Sequence, residues 1–363
     1  MIVFSEEPQS PPFDAFNNSV LKYTSNAGAP VVSNITINNT VFDIFPDASG
    51  EFYFNLKRVA QVLINQDHFA DTIIPGPADV AINDAALFLD MTVKIDVQLA
   101  SGTIETVTKN FPFLKSVKQL IRTRYENSQL RALLPGATDR AAVSYFPGYP
   151  FDFALYSDNG RTVTATNKRT GGSIQILLTR GVNRIFVSNG EDATNLEAVM
   201  PLHLGVNEIE ISSGALAVTV LINKKEPDCG HLLKYLNQAG AWAYWRFNSL
   251  FVEQLNTATR ETINNDFENL GEDVGNFQIT GKDSQKARDL LTGPMDPEEK
   301  EGVLELFESP QVYYYTGQLS DRFANKIDFI TVNAEGSPKT GNKNYLEEIP
   351  VRVNLPRRYT QTL

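Results

Sequence analysis

The feature that most constrains this chain is an alternation of apolar and polar residues in runs too short for helices, cut by strong turn signals. Val93, Ile95, Val97 and Leu99 alternate with Thr92, Lys94, Asp96 and Gln98. A side-chain period of two buries one set and wets the other, which is the signature of a strand. Ser101-Gly102 then turns the chain, and residues 103–108 are expected to return as the second arm of a hairpin. Ile35 and Ile37 show the same alternation, with residues 41–45 as the next strand. Further along, runs at 151–156, 163–166, 174–179, 184–187 and 218–222 are separated by Asp158-Asn159-Gly160, Gly171-Gly172 and Asn189-Gly190. Such dipeptides supply the positive φ that tight hairpin turns need. Leu202, Leu204 and Val206 share one parity and Ile209 and Ile211 the other, so the chain is expected to change direction between Gly205 and Asn207.

Helices are few. Leu56, Val59, Ala60 and Leu63 fall at i, i+3, i+4 and i+7, giving one apolar stripe, with Asn55 as the expected N-cap. Asp296-Pro297-Glu298-Glu299 combines an Asp cap, Pro at the first helical position and Glu at the third, and Ser309-Pro310 closes that helix. Residues 115–135 are ambiguous: Val117, Leu120, Ile121 and Tyr125 fit helical spacing, whereas β-branched residues and a basic face also suit a strand, and helix is the expectation taken. Strands are expected at 234–237 and 242–247 around the turn Gln238-Ala239-Gly240, and again at 312–315, 327–332 and 351–355, with 333–344 a long polar loop. With 363 residues the chain is long enough for two or three domains. The expected fold is mainly β: multi-domain antiparallel β-sandwiches with a few short helices, α+β in the N- and C-terminal segments. The expected segments are 1–120, 140–225 and 226–363.

Chemistry is harder to find. There is no Gly-rich phosphate loop, no HExxH and no GxSxG, and the single cysteine, Cys229, excludes an internal disulfide. His68, His203 and His231 are far apart in sequence. Cys229 and His231 sit at i and i+2 without an orienting third group, so Cys229 reads as a small buried thiol. The acidic stretch Asp266, Glu268, Glu272, Asp273 lacks the ligand order of a calcium loop. Glu298, Glu299 and Glu301 are explained by the positive end of a helix dipole. No catalytic residue, metal site or cofactor is expected. A net charge of −11 argues against nucleic acid as a partner, despite Lys115, Lys118, Arg122, Arg124, Arg357 and Arg358. No apolar run approaches a membrane span, and the first residues lack the features of a signal peptide.

The densest aromatic feature is Trp242-Ala243-Tyr244-Trp245-Arg246-Phe247, which holds both tryptophans. On a strand Trp242 and Tyr244 share one face, and Trp245 and Phe247 the other. One pair is expected in the core. The other is a candidate interface anchor or a platform for stacking on sugar rings.

The run Cys229-Gly230-His231-Leu232-Leu233-Lys234-Tyr235-Leu236-Asn237-Gln238-Ala239-Gly240, continued through Phe247, resembles structural proteins of phage and prophage tail modules. So do the Pro46-Asp47-x-x-Gly50 turn, the helix that follows it at Phe54 to Val59, and the C-terminal helix ending in Leu306-x-x-Ser309 before Val312. The resemblance implies a distal-tail or baseplate adaptor: a non-enzymatic virion part made in the host cytoplasm. It would form a homo-oligomeric ring and join other tail proteins. A carbohydrate-binding adhesin, with a host-surface glycan as partner, is the alternative.

Overall fold

The computed structural model describes residues 1–66, 70–76, 78–119, 129–136, 142–190, 195–264, 271, 277–316, 329–336, 338 and 348–361. The protein is mainly β, and it divides into two compact units. The first comprises residues 1–226 with 237–243, and the second 227–236 with 244–363. The first unit therefore contains both expected segments 1–120 and 140–225.

In the first unit, β1 (Ile2–Glu6), β3 (Val20–Ser25) and β6 (Phe52–Asn55) form a three-stranded sheet in that order. It shares a core with a five-stranded sheet ordered β2 (Phe13–Asp14), β9 (Ile104–Leu114), β8 (Phe88–Leu99), β4 (Pro30–Ile37) and β5 (Thr40–Ile44). The alternation predicted from sequence does the work. Val93, Ile95 and Val97 are fully buried, as are Leu21, Tyr23 and Phe52 across the core, while Lys94 and Gln98 face water. The helix α1 (Lys57–Asn65) closes this core with Ala60 and Ile64, and Val59 and Leu63 pack against it. The N-cap position is Leu56 and carries no side-chain cap, which corrects the expectation of Asn55 there; Asn55 instead braces the entry to the helix. Its Oδ1 accepts from Lys57 N at 3.1 Å, one residue ahead of Leu56, whose carbonyl accepts from Ala60 N.

Tyr23 sits in this core with its ring 5.3 Å from that of Phe52 and its hydroxyl 2.6 Å from Ser33 Oγ. Burial pushes its phenol up to about 12 from the ordinary 10. The folded state therefore holds this proton more tightly than the unfolded chain. Tyr23 contributes stability that is complete below pH 10 and is lost as pH rises from 10 to about 12. Alkaline denaturation of the Tyr23→Phe variant should show a shallower loss over that window than wild type; equal slopes would refute the assignment.

Two further sheets of this unit are β10 (Leu130–Leu133), β12 (Pro150–Ser157), β15 (Gly181–Asn189) and β7 (Ala81–Asn83), and β11 (Ala142–Tyr145), β17 (Leu216–Lys224), β16 (Gly205–Ser213), β13 (Arg161–Asn167) and β14 (Ser173–Leu178). The ring of Tyr145 on β11 packs 5.3 Å from that of Phe151 on β12. A short helix, α2 (Leu196–Val199), adds Leu196 to the buried set. The change of direction expected near Gly205 is present: Gly205 takes φ +83°, after which Asn207, Ile209 and Ile211 point inward. Pairing is antiparallel except between β11 and β17 and between β2 and β9, which are parallel. The helix expected over 115–135 is corrected in part, because 130–133 is strand β10, paired with β12. Residues 120–128 lie outside the described ones.

The second unit is built on a seven-stranded sheet. Its order is β19 (Trp242–Asn248), β18 (Gly230–Leu236), β22 (Val312–Tyr315), β23 (Phe329–Glu335), β24 (Pro350–Arg358), β21 (Phe277–Leu291) and β20 (Val252–Asn264). The capped helix α3 (Pro297–Glu308) has the box read from sequence. Asp296 Oδ1 accepts from Glu299 N at 2.8 Å and Glu299 Oε2 accepts from Asp296 N at 3.3 Å. The buried Tyr235 hydroxyl donates to Gly302 O on this helix at 2.8 Å. Residues 333–335, expected as loop, continue β23 because they pair with β24. Gly230 explains its own identity: a Cβ there would lie 2.1 Å from Phe247 O.

Candidate interaction surface

The four aromatics singled out in sequence are all inside. Trp242, Tyr244 and Trp245 are 4%, 7% and 6% exposed, and Phe247 is fully buried. Both parities of β19 are thus core, which corrects the expectation that one pair faces outward. A sugar needs an open ring face to stack on, and this strand presents none. Cys229 is likewise corrected: it is exposed, and His231 is turned to other partners.

Convergent ionisable groups do occur, in the first unit, where β12 and β15 are covered on both faces. Arg184 stands opposite Ala154 in the β12–β15 register, so Asp152 is its near neighbour on the same face. Asp152 takes Nε and Nη2 of Arg184 at 2.8 Å each. Asp71 receives Nη1 at 2.9 and 3.0 Å, and Asp84 at 3.4 Å. Arg184 is 1% exposed, and burial is the main force raising the Asp84 carboxyl, opposed by the Arg184 charge. Burial also lowers the Lys115 ammonium, so this residue, considered in sequence as a phosphate contact, is interior. A guanidinium already forked by carboxylates and shut from water is arranged as a structural tie.

What the second unit exposes is a ribbon. Every residue of β20 from Val252 to Asn264 is exposed, including Val252, Leu255 and Ile263. Sequence reading assigned no element here, because neither face is apolar in a regular pattern. At roughly 3.3 Å per residue the strand runs about 40 Å. It is the edge of the sheet and, among the described residues, pairs with β21 alone. β24 backs β21 only from Ser284 to Leu291, so residues 258–264 and 277–283 form a two-stranded arm.

A polar chain braces the base of this arm. Arg288 Nη1 donates to the Tyr314 hydroxyl at 2.9 Å, and that hydroxyl is hydrogen-bonded to His231 Nδ1. His231 Nε2 lies 3.3 Å from Ser249 O. Arg288 Nε also donates to Glu253 at 3.0 Å, and Glu253 receives Lys286 as well. The guanidinium carbon of Arg288 sits 4.6 Å from the Phe251 ring centroid, and the His231 ring meets Phe251 edge-on at 4.9 Å. Sequence spacing gave no signal for this cluster, because its members come from β18, β20, β21 and β22.

Partial burial and the Arg288 charge lower the His231 imidazole, with the Ser249 carbonyl opposing. Its neutral form is also the one that fits: Nδ1 accepts from Tyr314 while Nε2–H donates to Ser249 O. A depressed folded pKa means that His231 contributes stability above the ordinary 6.5 and withdraws it as pH falls through the folded value. The protection of amides in 249–257, taken relative to their intrinsic exchange rate at each pH, should therefore fall between pH 7 and 5 in wild type and stay flat in His231→Gln. A flat wild-type profile would remove the histidine from the brace.

Among the described residues no cluster of His, Cys, Asp and Glu is arranged to hold a metal ion, and no helix is long and apolar enough to cross a membrane. No protein-family description matches this sequence, and no curated protein matches it. Solved structures with partial likeness include a titin fragment, A168–A169, at 12% identity over 62% of this chain and 99% of that one, with a TM-score of 0.27. A tetra-tandem repeat from the extending region of a large adhesion protein matches at 12% identity over 78% of this chain and 54% of that one, TM-score 0.22. A Ca²⁺-stabilised ice-binding adhesin of an Antarctic bacterium matches at 12% identity over 79% and 69%, TM-score 0.18. These scores are too low to add to what the strands of this chain already display.

Proposed function

We propose that this chain is a non-enzymatic structural protein that works by mating with other protein subunits, and that its place is a phage tail or a related injection machine. In that setting it is a ring-forming adaptor between tail tube and tip or receptor-binding parts. The observation that carries the reading is the exposed edge strand β20. Edge strands offer unpaired N–H and C=O groups to another chain. Rigid sheets let such contacts repeat and close into rings. The resemblance of residues 229–247 to tail-module proteins supports the assignment to a tail. The carbohydrate-binding alternative loses its platform with the burial of Trp242, Tyr244, Trp245 and Phe247.

The test is electron microscopy of particles from the producing strain, with antibody against this chain and with its gene deleted. Label at one tail position, and particles that lack that part after deletion, are the expected result. Unlabelled, fully formed particles would overturn the tail assignment.

A further inference from the structure

We infer that Asn159 is a site of self-modification: the Gly160 nitrogen attacks its side-chain amide and leaves aspartate and isoaspartate in the turn between β12 and β13. This goes beyond the tail reading and does not depend on it. The chain holds two Asn-Gly pairs, Asn159-Gly160 and Asn189-Gly190. A glycine after asparagine leaves the backbone nitrogen uncrowded, because it has no Cβ to shield it. By sequence the two pairs are equal, and the structure separates them.

Asn159 and Gly160 are both exposed, in the turn that carries the chain from β12 in one sheet to β13 in another. Among the described residues, neither reacting group is held: the Asn159 side-chain amide and the Gly160 N–H make no hydrogen bond. The ties of the turn go around them. Ser157 Oγ donates to Asn159 O at 2.6 Å, Arg180 Nη1 donates to Asp158 O at 2.7 Å, and the Asp158 carboxylate pairs with Arg161. Asn189-Gly190 is the reverse case. Asn189 lies in β15 opposite Pro150, and Gly190 N donates to Ser188 Oγ at 3.1 Å. The nucleophile has to give up its N–H proton and swing onto Cγ, and at Gly190 a hydrogen bond and the end of a strand oppose both.

The Gly160 nitrogen, its proton removed by base, forms a bond to Asn159 Cγ. The Cγ–Nδ2 bond breaks, and ammonia leaves with that proton, closing a succinimide. Water then opens the ring at one carbonyl to aspartate or at the other to isoaspartate, whose main chain runs through the side-chain carbon. Nothing is oxidised or reduced, and water is the sole co-reactant. Each conversion adds one negative charge beside Asp158. Glycine at 160 is not demanded by the turn itself: its φ is not positive, and a Cβ there would meet only Leu178 O, at 3.8 Å.

Peptide mapping by mass spectrometry of the folded full chain, aged in mildly alkaline and mildly acidic buffer, tests this. Expected is a gain of about 1 Da at Asn159, NH2 being replaced by OH, as two products of equal mass that chromatography separates. The gain should be faster in the alkaline sample, and ion exchange should show the whole protein becoming more acidic in step. Asn189 should stay unchanged in the folded chain and convert in urea. Gly160→Ala should melt like wild type and convert at least about tenfold more slowly. An Asn159 still intact in the folded chain when the urea-unfolded chain has converted overturns the inference. So does conversion of Asn189 in the folded chain at the same rate, or a Gly160→Ala variant that converts as fast as wild type. None of these touches the tail reading, whose own test is particle incorporation.

Discussion

Arg184→Ala is expected to destabilise the first unit by about 3–5 kcal/mol, the usual consequence of breaking a buried ion cluster from one side. The substitution leaves Asp152, Asp71 and Asp84 facing one another with the guanidinium gone, and all three are nearly sealed from water. Urea unfolding followed by circular dichroism measures the change. Arg184→Lys should recover little of it, since a single ammonium cannot fork Asp152 and reach Asp71 together.

The pH dependence gives a sharper check. Asp84 has a folded pKa raised by burial, which the Arg184 charge restrains. A carboxyl raised in this way favours the folded state most at low pH, and that contribution is lost as pH rises through the folded value. Removing Arg184 raises Asp84 further. The deficit of Arg184→Ala should thus be smaller at pH 4 than at pH 8. A variant as stable as wild type, or one with a larger deficit in acid, would show that the cluster is not the tie described here.

Trp245→Ala should also be severe, about 3–5 kcal/mol, because it empties a large space in a closed core. The conservative Trp245→Phe should lose much less. Both tryptophans should emit at short wavelength and resist quenching by iodide in the native protein, then become accessible on unfolding. The experiment separates two roles. An anchor or sugar platform would lose binding with the fold intact, whereas a core residue loses the fold. Normal stability of Trp245→Ala, with ready iodide quenching in wild type, would return the aromatic strand to the surface.

Much of this architecture was readable before any coordinate. Residues 92–99 alternate because one face of β8 is dry, and residues 56–63 repeat at helical spacing because α1 has one dry side. Asp296 and Glu299 close a box that involves four consecutive residues, so no distant partner is needed to predict it. The turn glycines are equally local, with Gly205 and Gly240 both at positive φ. Residues 130–133 fit helix or strand by sequence, because apolar residues in a short run suit either period, and the pairing of β10 with β12 decides for strand. Residues 252–264 gave no pattern because an arm in water has no dry face to imprint one.

What the sequence determined by itself is everything set by near neighbours along the chain: the strand periodicity, the turns, the helix caps and the mainly β class. Those follow from backbone geometry and from the contrast between apolar and polar side chains a few residues apart. Only the tertiary structure decided which polar residues are interior and which apolar ones are not. Arg184 meets Asp71 across 113 positions, and the His231 brace gathers four strands, so neither leaves a local trace. The aromatic strand shows the same limit from the other side. Parity told which residues share a face, but whether a second layer covers that face is a property of the packed chain, and here both faces of β19 are covered.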